Sequence, residues 1–228
     1  MIVAVTGLAR EARIVAGPGV VTITGGGNAV GLRKKLEGAL AKTAHGIISI
    51  GIAGGLSPFL KPGDCVVATE VVEGSKHFSP DTAWTGRIIA RLPQAKCGAV
   101  AGADSIVSGV QSKAELFRVT GALVVDMESH IAAKLAQAHW LPLAVLRVVA
   151  DTAESELPDA ASVALGSDGK IKLSAVLYSV MRRPRQIAAL IRTARDCEAA
   201  FRALLRSRDA LGIGLAGPDI HQPPLDMR

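Results

Sequence analysis

The segment from Val124 to Asp151 constrains the fold of this chain more than any other part of the sequence. A short apolar run ends in Asp126, an alanine-rich amphipathic stretch follows it, and a second apolar run spans Leu143 to Ala150. This periodicity predicts a strand, a helix and a second strand. A helical connection between two buried strands is typical of a largely parallel sheet with helices on its faces. We therefore expect an α/β protein.

Three carboxylates stand where these two predicted strands end. Asp126 and Glu128 follow the first strand, with Met127 between them, and Asp151 follows the second. In parallel sheets the ligand crevice lies outside the carboxyl ends of the strands, so the three side chains are expected to share one site. The alternative is local: Glu128 would favour a helix N-terminus, and Asp151 would cap the next helix.

Composition excludes several classes of function. The chain has 228 residues, 49% of them apolar, which suits one packed domain rather than a disordered chain. Aromatic residues make up only 3%, so platforms that stack nucleic-acid bases are not expected, and the net charge of +6 is concentrated late in the chain. Three widely spaced cysteines indicate neither a zinc site nor a disulfide framework, and they fit a reduced, cytoplasmic compartment.

The first predicted strand leads into a segment that contains a further carboxylate. Ile2–Thr6 is an apolar strand, and a helical turn with Glu11 comes shortly after it. Glu11 can be a catalytic group at the mouth of the sheet. It can equally be a surface residue paired with Arg10 or Arg13, and the residues alone favour the surface position.

A glycine-rich turn follows the second predicted strand. Gly25, Gly26 and Gly27 come directly after Val20–Thr24 and precede a basic amphipathic helix. Backbone N–H groups in such a turn can hold an anion or a ribose, although a tight turn explains the glycines equally well. The spacing fits neither a dinucleotide fingerprint nor a P-loop.

The last third of the chain is predicted to be helical and basic. We divide the chain into an α/β domain at 1–180, a basic amphipathic helical extension of that domain at 181–210 and a loose tail at 211–228. The apolar stripe of the extension can pack on the sheet with solvated arginines around it, and this interpretation is favoured. Alternatively, residues 182–208 contact an anionic membrane or an apolar substrate. Residues 152–169 are acidic and can form either a lid or a connection.

Four motifs in order resemble one enzyme superfamily. They are Gly51-Ile-Ala-Gly-Gly-Leu56, Gly102-Ala-Asp-Ser105, Val125-Asp-Met-Glu128 and Arg147-Val-Val-Ala-Asp151. Over roughly residues 1–180 the chain resembles the nucleoside phosphorylases and nucleosidases, which include methylthioadenosine/S-adenosylhomocysteine nucleosidase. The resemblance implies three α/β/α layers, with a central mixed, mostly parallel twisted sheet and a helical C-terminal extension. The early Gly-Leu-x-x-Glu-Ala-Arg pattern and the arginine-rich helix look most like the hopanoid-associated phosphorylases, which remove adenine from adenosylhopane.

The resemblance implies roles for the residues in the crevice. Asp151 matches the acid that protonates N7 of the leaving adenine, and its pKa must then be raised by burial or by a nearby carboxylate. Glu128 matches the carboxylate that binds the ribose hydroxyls, and Met127 matches the residue that packs under the ribose. Arg147 can help to position Asp151.

The base contacts depart from the pattern of the superfamily. Its aromatic residue after Asp104 is absent here, so stacking on adenine falls to Ile106 and Val107. A serine commonly precedes the catalytic Asp, and Ala150 takes that place. Supporting positions by resemblance are Ala53, Gly54, Asp126 and Arg147.

The sequence does not decide whether water or phosphate is the nucleophile. A hydrolase needs a carboxylate that orients water, and Glu11 resembles that residue. A phosphorylase needs cations and N–H donors, which Gly25, Gly26 and Gly27 with Arg10 or Arg13 can supply. We expect no cofactor and no metal, with inorganic phosphate as a candidate co-substrate.

The sequence is therefore compatible with three functions. The first is cleavage of adenosylhopane in hopanoid biosynthesis. The second is the same chemistry on methylthioadenosine, S-adenosylhomocysteine or futalosine, and the third is nucleoside binding without catalysis. The expected partners are a small or lipid-linked nucleoside and a second copy of the chain in a homodimer, without nucleic acid. The expected location is the cytoplasm, with peripheral contact at the inner membrane as an option.

Overall fold

The computed structural model describes residues 1–41, 44–156 and 187–218. The strands in these ranges are β1 (Ile2–Thr6), β2 (Val20–Thr24), β3 (Gly46–Gly55), β4 (Cys65–Glu73), β5 (Lys76–Phe78), β6 (Lys96–Gly102), β7 (Val124–Asp126) and β8 (Leu143–Asp151). The helices are α1 (Ala9–Val15), α2 (Ala29–Leu40), α3 (Thr82–Arg91), α4 (Val110–Thr120), α5 (Ser129–Ala138) and α6 (Ile187–Leu211), followed by a 3-10 turn (Ile213–Ala216).

The strands form one mixed sheet that closes on itself. Five pairings are parallel, namely β1–β2, β1–β3, β3–β8, β4–β6 and β6–β7. Three are antiparallel, namely β3–β7, β4–β5 and β4–β8. Because β7 and β8 each pair with β3, strands β3, β8, β4, β6 and β7 make a closed ring to which β1, β2 and β5 are added at the edges. The predicted mixed, mostly parallel α/β fold is confirmed.

Helices cover both faces of the sheet, as alternation along β1 shows. Val3 and Val5 of β1 belong to the core beneath α2 and α5. Ile2 and Ala4 belong to the core beneath α1, α3 and α6. Successive side chains of a strand point to opposite faces, so a strand that is apolar throughout needs a layer on each side. The result is the predicted three-layer arrangement.

The predicted strand, helix and strand of the central segment are present as β7, α5 and β8, but the two strands are not neighbours. Gly54 of β3 lies between them, opposite Val125 of β7 and Asp151 of β8. The strand β7 runs antiparallel to β3, whereas β8 runs parallel to it. The register of β3 shifts between Ala53 and Gly54, where the ring closes, and this brings the ends of β7 and β8 to one place.

The first residues after α6, within 212–218, are packed, which differs from the loose tail predicted from residue 211. Leu215 and Ala216 are buried, and the carbonyl oxygen of Leu215 accepts a hydrogen bond from Nε1 of buried Trp84 at 3.0 Å. Arg87 donates to the carbonyl oxygen of Ala216 at 2.9 Å. Four predicted features lie outside the described residues: the part of the lid from residue 157, the helix before residue 187, the domain boundary at 180/181 and the tail from residue 219. In the described ranges, no helix combines the length and apolar character required to cross a bilayer.

Candidate active site

Asp126 fixes the start of α5. Its Oδ1 accepts hydrogen bonds from the backbone N–H groups of Glu128 (2.8 Å) and Ser129 (2.7 Å), and its Oδ2 accepts from the hydroxyl of Ser129. A carboxylate that binds the free N–H groups of a first turn stabilises the helix N-terminus. Asp126 therefore orients the backbone that carries Glu128.

Arg147 is fully buried at the centre of the site. Its Nε lies 2.7 Å from Oδ2 of Asp126, and its Nη2 donates to the hydroxyls of Ser49 and Ser129. The same Nη2 lies 3.8 Å from Oε2 of Glu128. Within the described part of the chain, Nη1 has no hydrogen-bond partner. The resemblance had suggested that Arg147 positions Asp151, but its ionic contacts here are with Asp126 and Glu128.

Glu11 is buried, with 1% of its surface exposed, and not on the surface as the residues alone had favoured. Its Oε2 accepts from the N–H groups of Gly7 and Leu8, both at 2.7 Å, and its Oε1 accepts from that of Ile52 at 2.8 Å. Burial raises the pKa of Glu11, and the charge of Arg147 and these N–H groups partly offset the rise. Glu11 points inward, since its N–H donors come from the chain after β1 and from β3.

Three glycines at the strand ends make room for these side chains. A Cβ at Gly51 would lie 2.7 Å from Oε1 of Glu11 and 2.9 Å from Nη1 of Arg147. A Cβ at Gly7 would lie 3.0 Å from Oε1 of Glu128, and one at Gly25 would lie 3.3 Å from its Cγ. The space that a side chain would take at these three glycines is thus filled by side chains of the site itself.

The pKa of Glu128 is raised well above its ordinary value. Burial raises the pKa to about 8, and the charges of Asp126 and Glu11 raise it too, whereas Arg147 lowers it. Three buried carboxylates around one guanidinium cannot all stay ionised at low cost, so Glu128 is the group that holds a proton.

Asp151, at the end of β8, is 7% exposed and forms an ion pair that the sequence did not reveal. Nζ of Lys113, on α4, donates to Oδ2 of Asp151. Burial raises the pKa of Asp151 despite this partner, as its proposed role requires. One feature of the sequence could have indicated that Lys113 is buried. Leu116 and Phe117, which pack inward, lie three and four residues after Lys113, and this helical spacing places the lysine on the apolar side of α4.

The predicted base-binding residues lie along the loop after β6. The side chain of Asp104 is 81% exposed, and Oδ1 lies 3.1 Å from Nε2 of buried His130. Ile106 is 36% exposed, and half-buried Val107 packs against the small core beside α4. Met127 is half-buried at the junction of β7 and α5. Asp104 and His130 also border a cavity of about 330 Å³ between α2 and α5.

The predicted phosphate-binding groups have other partners. The N–H groups of Gly25 and Gly26 donate to the carbonyl oxygens of Thr6 (2.8 Å) and Gly7 (3.0 Å). Gly26 and Gly27 have φ values of 61° and 70°, which a tight turn requires and glycine adopts without strain.

The two predicted arginines lie along α1. Arg10 forms an ion pair with Glu198 of α6 at 2.8 Å and lies 4.1 Å from the ring centroid of Phe201. Arg13 is exposed, and its Nε donates to the carbonyl oxygen of Ala9 at 3.4 Å.

The predicted supporting residues on β3 pair with the part of β8 that carries Arg147 and Asp151. Gly51 pairs with Arg147, and Gly54 pairs with Asp151, while Ala53 is buried between them. Side chains of β8 at these two positions point to the same face because they are four residues apart. In residues 1–41, 44–156 and 187–218, no group of His, Cys, Asp and Glu is arranged to hold a metal ion.

Known proteins share this fold. A methylthioadenosine/S-adenosylhomocysteine nucleosidase from Neisseria meningitidis, in complex with methylthio-immucillin-A, is similar with a TM-score of 0.61 and 16% identity, over 91% of this chain and 96% of that one. Futalosine hydrolase of Helicobacter pylori is similar with a TM-score of 0.59 and 15% identity, over 91% and 96%. A methylthioadenosine/S-adenosylhomocysteine nucleosidase from the same organism gives 0.59 and 16%, over 91% and 97%.

Sequence comparison identifies the family. A search of curated proteins finds no match to this chain. The sequence profile of the phosphorylase superfamily matches residues 20–182, which is most of the chain. That range contains β2 to β8 and, within them, Glu128, Arg147 and Asp151. The chain therefore belongs to the phosphorylase superfamily and is an enzyme of the nucleosidase and nucleoside phosphorylase type.

Proposed function

We propose that this enzyme hydrolyses the N-glycosidic bond of a 5′-modified adenosine and releases adenine. The observation that carries the proposal is the group of three buried carboxylates, Glu11, Glu128 and Asp151, at the edge where β3 and β8 end. The similar structures support it, since those proteins are named as nucleosidases for methylthioadenosine and S-adenosylhomocysteine and as a futalosine hydrolase.

The reaction uses the carboxylates in different protonation states. The bond from C1′ to N9 breaks, and N7 of adenine takes the proton of Asp151, whose raised pKa favours the acid form. Water forms the new bond to C1′ and gives its proton to Glu11. Glu128, which carries a proton below about pH 8, accepts hydrogen bonds from the ribose hydroxyls through its carboxyl oxygens, and its ionisation above that pH adds stabilisation of positive charge on the sugar.

Contacts around Glu11 favour water over phosphate as the nucleophile. Nη1 of Arg147, which has no partner in the described residues, lies beside Oε1 of Glu11 at Gly51, so a donor and an acceptor are available to one small molecule. Three of the five groups that would bind phosphate are engaged elsewhere: the N–H groups of Gly25 and Gly26 with strand-end carbonyls, and Arg10 with Glu198. A dianion beside three carboxylates would also be repelled.

The 5′ substituent has two candidates. A small substituent, as in methylthioadenosine, agrees with the names of the similar structures. A long apolar one, as in adenosylhopane, is favoured by α6, where Ile187 and Ile191 are 46% and 49% exposed among arginines. Cys197 lies two turns further along α6: burial raises the pKa of its thiol to about 11, and the charges of Asp151 and Glu11 add to the rise.

Base release from a nucleoside panel tests the proposal, measured as hypoxanthine for futalosine and as adenine for every other member. The panel contains methylthioadenosine, S-adenosylhomocysteine, futalosine, and adenosylhopane in detergent, each with and without phosphate. We expect release without phosphate, and Asp151→Asn should lower kcat by about 10²- to 10⁴-fold because the proton donor is lost. Release that requires phosphate would replace hydrolysis by phosphorolysis. Release by the wild type from no member of the panel would leave nucleoside binding without catalysis as the function.

A further inference from the structure

A buried lysine on α4 contacts the proposed acid. Lys113 is fully buried, and besides Asp151 its Nζ donates to the carbonyl oxygens of Thr152 and Ser155, both at 2.9 Å. An ammonium group has three N–H donors, so every donor of Lys113 is used. A charged amine is costly to bury unless it is paired and fully hydrogen-bonded, and here both conditions hold.

The three acceptors belong to one short stretch at the end of β8. The N–H group of Ser155 donates to the carbonyl oxygen of Thr152 at 3.1 Å, and the two hydroxyls lie 2.8 Å apart, so residues 152–155 form a closed turn. Lys113 thus ties α4 both to the carboxylate of Asp151 and to the turn that follows it.

The contact distinguishes the two oxygens of Asp151. Oδ2 is held by Lys113, whereas Oδ1 accepts no hydrogen bond from any described residue. Both oxygens lie near the position that a Cβ of Gly54 would take, Oδ1 at 3.5 Å and Oδ2 at 3.7 Å. Because Lys113 binds Oδ2, Oδ1 is the oxygen of Asp151 that is left to bind another group.

We propose that Lys113 is the positioning residue of Asp151: it holds Oδ2 and the 152–155 turn, and thereby presents Oδ1 to the departing base. The assignment rests on the proposed function in one respect, namely that Asp151 is the proton donor. Lys113 does not touch the nucleoside, so its effect on the reaction passes through Asp151.

The charges around Asp151 predict how the pH profile responds. Lys113 favours the ionised carboxylate, whereas burial and the charge of Asp196 on α6 favour the acid; Cys197 on the same helix also lies nearby. Without Lys113 the pKa of Asp151 rises further. The acid form then survives to higher pH, so the alkaline limb of the activity profile should shift upward.

The test compares Lys113→Met, Lys113→Arg, Asp151→Asn and the double variant Lys113→Met/Asp151→Asn. Lys113→Met should lower kcat for adenine release by about 10- to 100-fold, with KM nearly unchanged, because misplacing a catalytic group costs rate rather than affinity. Lys113→Arg keeps the charge and should recover part of the loss. In the double variant, Lys113→Met should add no further loss to that of Asp151→Asn.

Thermal unfolding gives a second measurement that does not depend on turnover. Each single variant leaves one buried charge without its partner, so each should have a lower Tm, and the double variant should recover much of that loss. Independent, additive shifts in Tm would overturn the contact itself. If the Tm values are coupled but the losses in kcat are additive, or if the alkaline limb of the pH profile does not shift, the contact between Lys113 and Asp151 is only structural. Either result would overturn the positioning role of Lys113. Absence of adenine release by the wild type, with the Tm coupling present, would instead overturn the proposed function.

Discussion

At the scale of single residues, the chemistry of this site depends on how few charges a buried volume can hold. Asp126, Glu128 and Glu11 surround one guanidinium, that of Arg147, and would carry two net negative charges if all three were ionised. Asp126 accepts hydrogen bonds from two backbone N–H groups and forms an ion pair with Arg147, so its charge is directly compensated. Glu128 has only the more distant contact with Arg147, and burial raises its pKa to about 8.

Glu128→Gln should change the pH dependence of stability. The pKa of Glu128 is raised in the folded state to about 8, so the protonated group's contribution is complete below its ordinary pKa of 4.5 and is lost as pH rises through about 8. The wild type should therefore lose stability between pH 5 and pH 8.5 more steeply than the variant. Tm measured across this range checks it, with exposed Glu37→Gln as control. Parallel curves for wild type and Glu128→Gln would contradict the raised pKa.

Glu11→Gln should separate hydrolysis from binding. An amide cannot take the proton of water, so kcat should fall by about 10²- to 10⁴-fold while adenine-containing nucleosides still bind. Glu198→Gln, on the exposed partner of Arg10, is the matched control and should retain activity. Calorimetric titration gives the binding and adenine release gives kcat. Full activity of Glu11→Gln would remove Glu11 from the reaction.

At the scale of elements, the turn after α6, residues 213–217, stabilises α3 and α6 through its packing and not through regular secondary structure. Leu215 and Ala216 fill the core beneath α3, and the indole of Trp84 donates to the backbone there. The turn requires positive φ at Gly212 (71°) and Gly214 (70°), which glycine adopts readily.

Two truncations test that packing. A chain that stops after Gly212 loses the buried Leu215 and leaves the Trp84 N–H unpaired, which should cost about 2–5 kcal/mol of unfolding free energy. A chain that stops after Gly217 keeps these contacts and serves as control, since both truncations remove residues 218–228. Urea denaturation of the two proteins gives the difference. Equal midpoints would show that residues 213–217 contribute nothing.

At the scale of the whole molecule, α6 has one half that packs in the core and one half that is not buried. Its second half supplies buried Ala200, Phe201 and Leu204 to the core, whereas residues 187–196 include no buried side chain. Cys197 lies where the buried half begins, and the charges of Asp151 and Glu11 reach its thiol, whereas the apolar Ile187 and Ile191 of the first half are exposed.

Substrate preference should therefore depend on this first half of α6. In Ile187→Ser/Ile191→Ser, turnover of a nucleoside with a long apolar 5′ group should fall by about tenfold or more, since each lost apolar contact is worth on the order of 1 kcal/mol. Turnover of methylthioadenosine should stay constant and acts as the internal control. The ratio of the two kcat/KM values is the measurement. An unchanged ratio would favour the small 5′ substituent.

Local patterns in the sequence determined the layers and most of the chemistry. Continuous apolar runs of strand length can be buried only between two helical layers, so β1, β3 and β8 followed from residue type alone. Carboxylates after β7 and β8 were recognisable because strand ends in such folds face the ligand crevice. The superfamily resemblance is confirmed by the profile match, whereas the hopanoid-associated subfamily stays a proposal.

Tertiary structure decided everything that depends on which residues meet across the chain. The helical period placed Lys113 on the apolar side of α4, but only the packing of α4 against the end of β8 made it the partner of Asp151. Similarly, Arg147 faces Asp126 and Glu128 because β3 closes the ring between β7 and β8, and Glu11 is buried because Gly51 leaves space for it. Periodicity reports which face of an element is buried; it does not report the distance between elements, on which ion pairs and pKa values depend.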